Sequence, residues 1–315
     1  MCEVSVIGGI TADIEGHPYH QLIPGDSNPG RIVMAYGGVG RNITENLARM
    51  GVSVNFISAA GDDFAGRGAV RELLELGVNV ENVRLLPEEN TAVYMSILNL
   101  VGDMELALCN MDILERISVG FIDEAYEKVR NSKIIGIDTN LTEESLEYAT
   151  EKLKDIPLFL DPVSVAKAAR AKMIIGRFHT VKPNRMEAEV LSGMSITSGD
   201  ELEKAAQWFV DQGVKRVFIT LGPGGVFYQD EEKSGMIRPE PGEIVSATGA
   251  GDAFSAAILY SYLHGFDIKK TAETGMAAAK IAMQSKSAVN SRMSEELLLQ
   301  TLELKSASQK EDGDG

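Results

Sequence analysis

Short apolar runs alternate with segments of helical periodicity along most of this 315-residue chain. Apolar strands without a polar face are typical of parallel sheets that are covered by helices on both sides. The predicted strands cover residues 4–7, 54–58, 134–137, 158–160, 180–181 and 217–220, and the predicted helices cover residues 43–50, 66–76, 200–212 and 272–284, with another starting at residue 142. The pattern predicts one large α/β domain built on a mostly parallel sheet.

Two stretches interrupt this alternation. Residues 16–36 are rich in Gly, Pro and polar residues and have no helical period, while residues 91–110 are β-rich and turn at Gly102, as a hairpin does. Neither stretch joins a parallel sheet easily, so we expect them to form a separate small β-sheet that acts as a lid. The polar segment 305–315 is expected to be a disordered tail.

The chain has a formal net charge of −16 and two cysteines, Cys2 and Cys109. The negative charge repels nucleic acid and anionic membranes at long range, so neither is an expected partner. Two cysteines provide no disulfide framework, which fits a reducing compartment. The sequence contains no apolar run of about 18 residues and no secretory leader pattern. We therefore expect a soluble cytoplasmic protein whose ligands are small molecules.

Polar residues and glycine stand where several predicted strands end. In open parallel sheets, ligands bind beyond the carboxyl ends of the strands. The residues at these ends are Asp13, Asp138, Asp161, Asn184 and Gly222. The sequence therefore predicts a ligand site along one edge of the large sheet.

A glycine-rich turn at Gly249-Ala250-Gly251 leads directly into an apolar segment of helical spacing. The free amides and the positive dipole end of such a helix start form an anion site. Asp252 lies in the first turn, where it would repel a resting phosphate but could accept a proton from a nucleophile. The alternative from these residues alone is a capped helix with an ordinary first-turn acid.

The run from Thr248 to Phe254 resembles the C-terminal signature of the ribokinase-like (PfkB) family of sugar and nucleoside kinases. The resemblance implies a three-layer α/β/α domain with a mostly parallel central sheet and a small β lid. It further implies that Asp252 is the catalytic base and that the amides of Gly249, Ala250 and Gly251 hold the transferred phosphoryl group. The expected reaction moves the γ-phosphoryl of ATP to an alcohol, and the base is not expected to need a raised pKa.

A second glycine-rich turn, at residues 37–42, resembles the substrate motif of that family. Gly38 and Gly40 would let the backbone approach a sugar ring, and the Asn42 amide both donates and accepts toward hydroxyls. Asp13 matches the family position that binds sugar hydroxyls, since an ionised carboxylate accepts from two adjacent hydroxyls. Taken alone, this turn could be a loop before a helix, and Asp13 an ordinary turn acid.

The nucleotide and its metal ion are expected at two further elements that resemble the family. Asn184 and Glu187 form an Asn-x-x-Glu element in which Glu187 would hold Mg²⁺ through water, although a helix-start acid is the alternative. The residues that match the family's nucleotide-binding positions are Asn184, Thr220, Gly222, Gly225, Thr248, Gly249 and Gly251.

Within the family, the chain most resembles the branch that phosphorylates the 5′-hydroxyl of pseudouridine, a C-linked nucleoside. The residues that carry this similarity lie in segments 26–30, 37–42, 89–91, 161–164 and 182–185. The resemblance places Ser27, Asn28 and Thr91 at the uracil edge. Ser246 and Ser287 depart from the family pattern near its monovalent-cation site, which counts against activation by K⁺.

Two alternatives remain open at the level of sequence. One is a kinase of ribose, another nucleoside or a related sugar, and the other is a non-catalytic sugar or nucleoside sensor on the same fold. The presence of Asp252, Asn184 and Glu187 favours the enzyme, because a sensor needs no base. The exposed strand edges of the lid also favour a homodimer formed through the lids.

Overall fold

The structure, a computed structural model, describes residues 2–239 and 244–311. The strands in chain order are β1 (Val4–Ile7), β2 (Thr11–Pro18), β3 (Gly30–Gly37), β4 (Val54–Gly61), β5 (Asn79–Leu86), β6 (Ala92–Leu98), β7 (Met104–Asn110), β8 (Ile134–Asp138), β9 (Leu158–Asp161), β10 (Thr180–Val181), β11 (Arg216–Thr220), β12 (Val226–Gln229) and β13 (Ser234–Ile237). The helices are α1 (Val39–Arg49), α2 (Phe64–Glu75), α3 (Val119–Val129), α4 (Glu143–Lys152), α5 (Val165–Ala168), α6 (Arg185–Ser192), α7 (Gly199–Asp211), α8 (Ala250–Leu263), α9 (Ile268–Ala282) and α10 (Glu295–Glu311). Short 3₁₀ segments lie at Asp112–Arg116, Ala169–Arg177 and Gly222–Gly224.

The large sheet of the described chain has nine strands in the order β13-β12-β11-β10-β9-β8-β1-β4-β5. Its strands from β11 to β5 are parallel, and β12 and β13 add an antiparallel edge. The predicted mostly parallel sheet is therefore confirmed. The sequence did not predict β5 and β13, which lie at the two edges and are only partly buried, or β12, whose apolar run is short.

Helices cover the large sheet on both faces, as alternate side chains of each strand require. On β1, Val4 and Val6 belong to the hydrophobic cluster that includes the buried residues of α8 and α9. Ile7 belongs to the second cluster, which includes the buried residues of α3, α4 and α7. Phe159 of β9 joins the first cluster, whereas its neighbour Leu160 joins the second. The expected arrangement of helix, sheet and helix layers is thereby confirmed.

Within the described residues, a separate small sheet contains four strands in the order β3-β2-β6-β7. It combines the two stretches that interrupt the alternation, and its first strand begins at Thr11, earlier than the expected boundary at residue 16. Asp13 consequently lies inside β2, paired with Ala35 of β3 and Tyr94 of β6, and not in a loop after β1. The expected extra sheet is confirmed, with Asp13 as part of it.

The two faces of the small sheet differ in character, since residues opposite one another on paired strands share a face. One face is polar or small and carries Asp13, Glu15, His17, Arg31, Ser96 and Cys109. The other, which we call the apolar face, carries Ile14, Ile32, Met34, Met95, Ile97, Leu106 and Leu108. Several of its side chains are open to solvent, with Ile32 75% and Leu108 68% exposed.

Helix α1 begins at Val39, several residues before the predicted start near residue 43, so Gly40 and Asn42 belong to the helix and not to a turn. Its start lies directly against the end of β1. A Cβ atom on Gly40 would lie 2.7 Å from the Cα of Gly8, and one on Gly38 would meet the carbonyl of Gly9. Gly38 also has a φ of 97°, which favours glycine. The substrate-motif glycines therefore permit a close backbone crossing.

At the C-terminal end, the backbone of residues 305–311 continues α10, while residues 312–315 of the predicted tail lie outside the described residues. Among the helices of the described chain, none combines the length and hydrophobicity needed to span a bilayer.

We expect Gly40→Ala to lower the free energy of unfolding by about 1–3 kcal/mol, because the added methyl group overpacks against backbone atoms. Gly120→Ala is the matched control, since a Cβ at this exposed position of α3 would meet no atom within 4 Å. The control should keep or slightly raise stability. Urea unfolding of both variants measures the difference, and wild-type stability in Gly40→Ala would contradict the close crossing.

Candidate active site

The N-terminus of α8 forms a tight turn that glycine makes possible. Gly249 has a φ of 78°, and a Cβ there would collide with the carbonyl of Ala288. Helix α8 starts at Ala250, and no side chain caps it at Gly249. The first amides of a helix have no carbonyl partner within that helix. The amides at Ala250 and Gly251 thus lie at an uncapped helix start, as expected of an anion site.

The carboxyl group of Asp252 lies in this first turn and contacts the start of α1. The side-chain amide nitrogen Nδ2 of Asn42 donates a 2.9 Å hydrogen bond to Oδ2 of Asp252, across 210 positions of sequence. The structure therefore brings together the two glycine-rich turns that the sequence assigns to substrate and to catalysis. Each supplies one partner of the contact.

Burial, followed by the neighbouring charge of Asp161, raises the pKa of Asp252 from an ordinary 3.8 to about 7. The hydrogen bond from Asn42 and the positive charge of Lys182 act in the opposite direction. The sequence reasoning expected no need for a raised pKa in the base. The structure shows one, because the carboxyl lies near other acids and away from water.

The orientation of Asn42 is set by its neighbour Arg41, whose guanidinium donates to Oδ1 of Asn42 at 3.3 Å. Arg41 is buried and forms ion pairs with Glu45, at 2.5 Å, and with Glu72, at 2.9 Å. Because Oδ1 faces Arg41, the NH₂ end of Asn42 faces Asp252. One further N–H of that amide remains for a ligand.

Asp138 supports the backbone of this region. Its Oδ2 accepts from the amides of Gly9 and Gly40, at 2.9 and 2.8 Å, and its Oδ1 accepts from the amide of Asn140. The carboxyl group is 1% exposed. Burial raises its pKa, and these backbone hydrogen bonds oppose the rise. Asp138 thus joins the end of β1 to the start of α1 and fixes the position of the α1 N-terminus, which carries Asn42.

Asp13 lies on the polar face of the small sheet, close to Gly37 and Arg41. A Cβ on Gly37 would collide with its Oδ2, and the hydroxyl of Thr11 donates to its Oδ1 at 2.8 Å. Burial raises the pKa of Asp13 and the charge of Arg41 opposes that rise. The carboxyl group is thereby placed next to the start of α1, as a substrate-binding role requires.

A buried ion pair lies beside the turn at residues 249–252, and the sequence reasoning gave it no role. Lys182, directly after β10, places its ammonium 3.2 Å from Oδ2 of Asp161 at the end of β9. The hydroxyl of Ser255, on α8, donates to the same oxygen at 2.7 Å. Burial opposes the charge of Lys182, yet the surrounding carboxylates, Asp161 first, raise its pKa. The sequence feature that could have indicated this pair is a lysine directly after a short buried strand.

The backbone directly after Asp161 is strained at Val163, and this strained residue donates a hydrogen bond to the Asp161 carboxylate. Val163 has a φ of 64°, which is rare for a β-branched residue. Its amide donates to Oδ1 of Asp161 at 2.9 Å. Strain of this kind costs about 1–3 kcal/mol and is concentrated at functional sites.

Three of the seven expected nucleotide residues lie at a cavity of about 510 Å³, and the other four do not line it. Its lining includes Asn184, Thr220 and Gly222, together with Ser198 and Leu202 of the α7 region. A cavity of this size accommodates a nucleotide. Gly225 has a different reason to be glycine, because a Cβ there would collide with the carbonyl of Ile237. Thr248 is exposed, and its amide donates to the hydroxyl of Ser246 at 3.1 Å.

Asn184 and Glu187 form a capping box at the start of α6. The Asn184 side chain accepts from the Glu187 amide at 2.9 Å, and Oε2 of Glu187 accepts from the Asn184 amide at 2.8 Å. One carboxylate oxygen of Glu187 is left for another partner. Within the described residues, no group of three or more His, Cys, Asp or Glu side chains could ligate a metal directly. The donors present fit an Mg²⁺ ion that keeps most of its water.

The three residues assigned to the uracil edge are engaged within the protein. The side chain of Asn28 bonds to the backbone of Ile23 and Asp26. Thr91 is buried and donates to Asp63 at 2.7 Å. Ser27 lies in the exposed loop beside Asn28. These contacts organise the small sheet and its loop.

Ser287 is one of the two residues that depart from the family pattern near its monovalent-cation site. The next residue, Ala288, lies against Gly249 at the start of α8.

Comparison with known proteins defines the class to which this fold and site belong. The chain matches a solved structure of a proposed sugar kinase from Clostridium perfringens with a TM-score of 0.86 and 34% identity, over 96% of both chains. It also matches ribokinase from Arabidopsis thaliana, complexed with ribose and ATP, with a TM-score of 0.81 and 21% identity, over 96% of this chain and 98% of that one. The fold is therefore ribokinase-like, as the sequence indicated.

Residues 1–295 match the model of the pfkB family carbohydrate kinases, and the chain belongs to this family. It is 34% identical to the pseudouridine kinase of Escherichia coli (strain K12) over 281 residues, which cover 89% of this chain and 90% of that protein. The prediction of an ATP-dependent kinase that acts on a sugar or nucleoside hydroxyl is confirmed.

We expect Asp252→Asn to lower kcat by about 10²–10⁴, the usual effect of losing a general base. Because the folded chain holds the Asp252 proton more tightly than the unfolded chain, wild-type stability falls as pH rises from about 4 to about 7. The neutral amide avoids this penalty, so at pH 8 the variant should unfold no more easily than wild type. Steady-state kinetics and urea unfolding at pH 8 test both points, and near-full turnover would contradict the assignment.

Proposed function

We propose that this kinase transfers the γ-phosphoryl group of ATP to the 5′-hydroxyl of pseudouridine and forms pseudouridine 5′-phosphate. The observation that carries the acceptor is the 34% identity to the Escherichia coli pseudouridine kinase across about nine-tenths of both chains. The observation that supports the chemistry is the contact of Asp252 with Asn42 at an uncapped helix start.

In this reaction, Asp252 accepts the proton of O5′ while the new O5′–P bond forms. The bond between the γ-phosphorus and its bridging oxygen breaks, and the electron pair leaves on ADP. Negative charge on the phosphoryl group lies near the amides of Gly249, Ala250 and Gly251, where fixed donors stabilise a transition state most effectively. With a pKa of about 7, Asp252 is a stronger base than an ordinary aspartate and is still substantially ionised at neutral pH.

Mg²⁺ is proposed at Glu187, through water, on the free carboxylate oxygen beside Asn184. When bound, the ion would neutralise phosphate charge. The residues of the chain have a separate task, because Thr220 and Gly222 line the cavity that would hold the nucleotide.

Asp13 and Asn42 are proposed to bind the ribose 2′- and 3′-hydroxyls. Asp13 is an acceptor on the polar face of the small sheet, and Asn42 has one remaining N–H donor. With the ribose held between them, O5′ would point toward Asp252 and the base toward the small sheet. We propose that this sheet closes over the acceptor as a lid.

A kinase of ribose or another nucleoside is the second candidate, and one observation favours it. Asn28 and Thr91 are engaged by Ile23 and Asp63, so neither is free to recognise a base in this structure. A smaller acceptor would not need them. A non-catalytic sensor is disfavoured by the contact of Asp252 with Asn42, which a binding protein does not require.

Competition between pseudouridine and uridine at equal concentrations tests the acceptor. Pseudouridine has an N1–H where uridine has its glycosidic bond, and uridine would leave a buried acceptor for that donor unpaired. We expect kcat/KM to be at least about tenfold higher for pseudouridine, or roughly 1.4 kcal/mol of transition-state binding. Equal use of uridine, or a preference for ribose, would defeat this acceptor while leaving the kinase assignment intact.

We further propose that the protein is a homodimer formed through its small sheets. The apolar face exposes Ile32, Leu106 and Leu108, and a patch of this kind on a sheet marks a surface that another protein covers. The occupant proposed is a second copy, because β3 and β7 are sheet edges and an identical sheet presents the same apolar face.

Sedimentation at micromolar concentration should show a dimer for wild type and a monomer for Leu108→Glu, since this change places a charge within the apolar face. Leu74→Glu makes the same substitution at a 59% exposed position of α2 and should remain dimeric. A monomeric wild type would rule out the dimer.

A further inference from the structure

Lys182 is buried next to the catalytic turn but has few partners. Its side chain is 6% exposed, and in the described part of the chain its one ion pair is with Asp161. An ammonium group carries three N–H donors, so this contact leaves others unused. The carboxylate of Asp161 has hydrogen-bond donors besides Lys182, because the hydroxyl of Ser255 and the amide of Val163 also donate to it. Neutralising Asp161 alone therefore does not account for this buried charge, which also interacts with the carboxylates of Glu187 and Asp252.

The ammonium group points at the start of α8. Nζ of Lys182 lies 3.6 Å from the position that a Cβ atom would occupy on Gly251. In a helix the Cα–Cβ direction tilts toward the N-terminus, the same end that presents the free amides. Because Gly251 has no side chain, nothing at that position separates the ammonium group from the space in front of the turn.

We propose that Lys182 is a further catalytic residue whose ammonium group contacts the phosphoryl group as it is transferred, alongside the amides of Ala250 and Gly251. Lys182 keeps its proton throughout. Asp252 takes the proton of the acceptor hydroxyl, the new O–P bond forms, and the bond to the β-phosphate oxygen breaks with its electron pair leaving on ADP. The proposal rests on the kinase reaction and not on the identity of the acceptor.

A fixed cation at this place acts where charge is greatest during transfer. A donor in a buried site is already oriented and needs no reorganisation, so it stabilises the transition state more than a solvated one. Asp161 and Ser255 serve as positioning residues in this arrangement, since Asp161 pairs with the ammonium group and Ser255, on α8, donates to the same carboxylate oxygen. The strained backbone at Val163 helps to aim that carboxyl group.

The competing explanation is that Lys182 only neutralises Asp161. The two can be separated by comparing Lys182→Met with the double variant Lys182→Met/Asp161→Asn. The single variant leaves a buried carboxylate unpaired and should lose stability, whereas the double variant removes both charges. If Lys182 only neutralises Asp161, the double variant should regain both stability and turnover.

We expect Lys182→Met to lower kcat by about 10²–10³ with little change in KM, as for removal of one donor to a developing charge. The double variant should regain thermal stability while its kcat stays low. Lys233→Met, which removes an exposed lysine paired with Asp267 at 3.1 Å, is the control and should keep wild-type kinetics. Turnover is measured with whichever acceptor the wild type phosphorylates among pseudouridine, uridine and ribose.

Recovery of kcat in the double variant, or wild-type kcat in Lys182→Met, would overturn the proposal. The double variant also carries the test if Lys182→Met alone does not fold, because it contains no unpaired buried charge at this pair. Failure of pseudouridine as the wild-type acceptor would affect the proposed function and leave this comparison intact.

Discussion

The hydrogen bond between Asn42 and Asp252 is the contact on which the arrangement of this site depends. It joins the N-terminal turns of α1 and α8, two helices that come from opposite ends of the chain and pack on the same side of the large sheet. Both turns contain glycines that touch other backbone segments, Gly40 against Gly8 and Gly249 against Ala288. The bond can form only because these close crossings bring the two helix starts together.

Several acidic side chains lie close together at the proposed active site, and most of them are shielded from water. Asp138, Asp161 and Glu187 are buried there, Asp252 is half-buried, and Lys182 is a buried cation among them. The pKa of Asp252 is raised as a direct consequence, first by burial and then by Asp161. Such an arrangement is unfavourable for stability and is typical of sites whose groups are tuned for a task. General-base catalysis is most efficient when the pKa of the base lies near the working pH, as a pKa of about 7 does at neutral pH.

The sequence predicted the central part of the fold and several of the residues that the structure brings together at the proposed site. The apolar strands that end at Asp138 and Asp161 could be predicted because they are buried on both faces. The Gly249–Asp252 turn could be predicted because two closely spaced glycines precede an apolar segment of helical spacing. The strands β5 and β13 at the two edges were not visible, since half-buried strands share their composition with loops, and β12 was not predicted because its apolar run is short. Asp13 was placed in a loop because local patterns do not show that β2 pairs with β6, far along the chain.

The raised pKa of Asp252 could not be predicted from the sequence, because it also depends on contacts between residues far apart in the chain. The pKa of Asp252 depends on Asp161 and Lys182, which are brought close only by the strand order β9-β10 and the packing of α8. The internal contacts of Asn28 and Thr91 could not be read from their positions either, because they are made to Ile23 and Asp63 in the folded chain.

The central claim is that Asp252 is the base, tuned by burial and held by Asn42, and its titration tests this most directly. Carbon-13 NMR of protein labelled at the aspartate carboxyl carbons would follow each group with pH, and the resonance missing in Asp252→Asn assigns the one of interest. We predict that it titrates near pH 7, and that Asn42→Leu moves it higher by removing a bond that favours the charged form. Titration at an ordinary aspartate value near 4, unaffected by Asn42→Leu, would contradict the account.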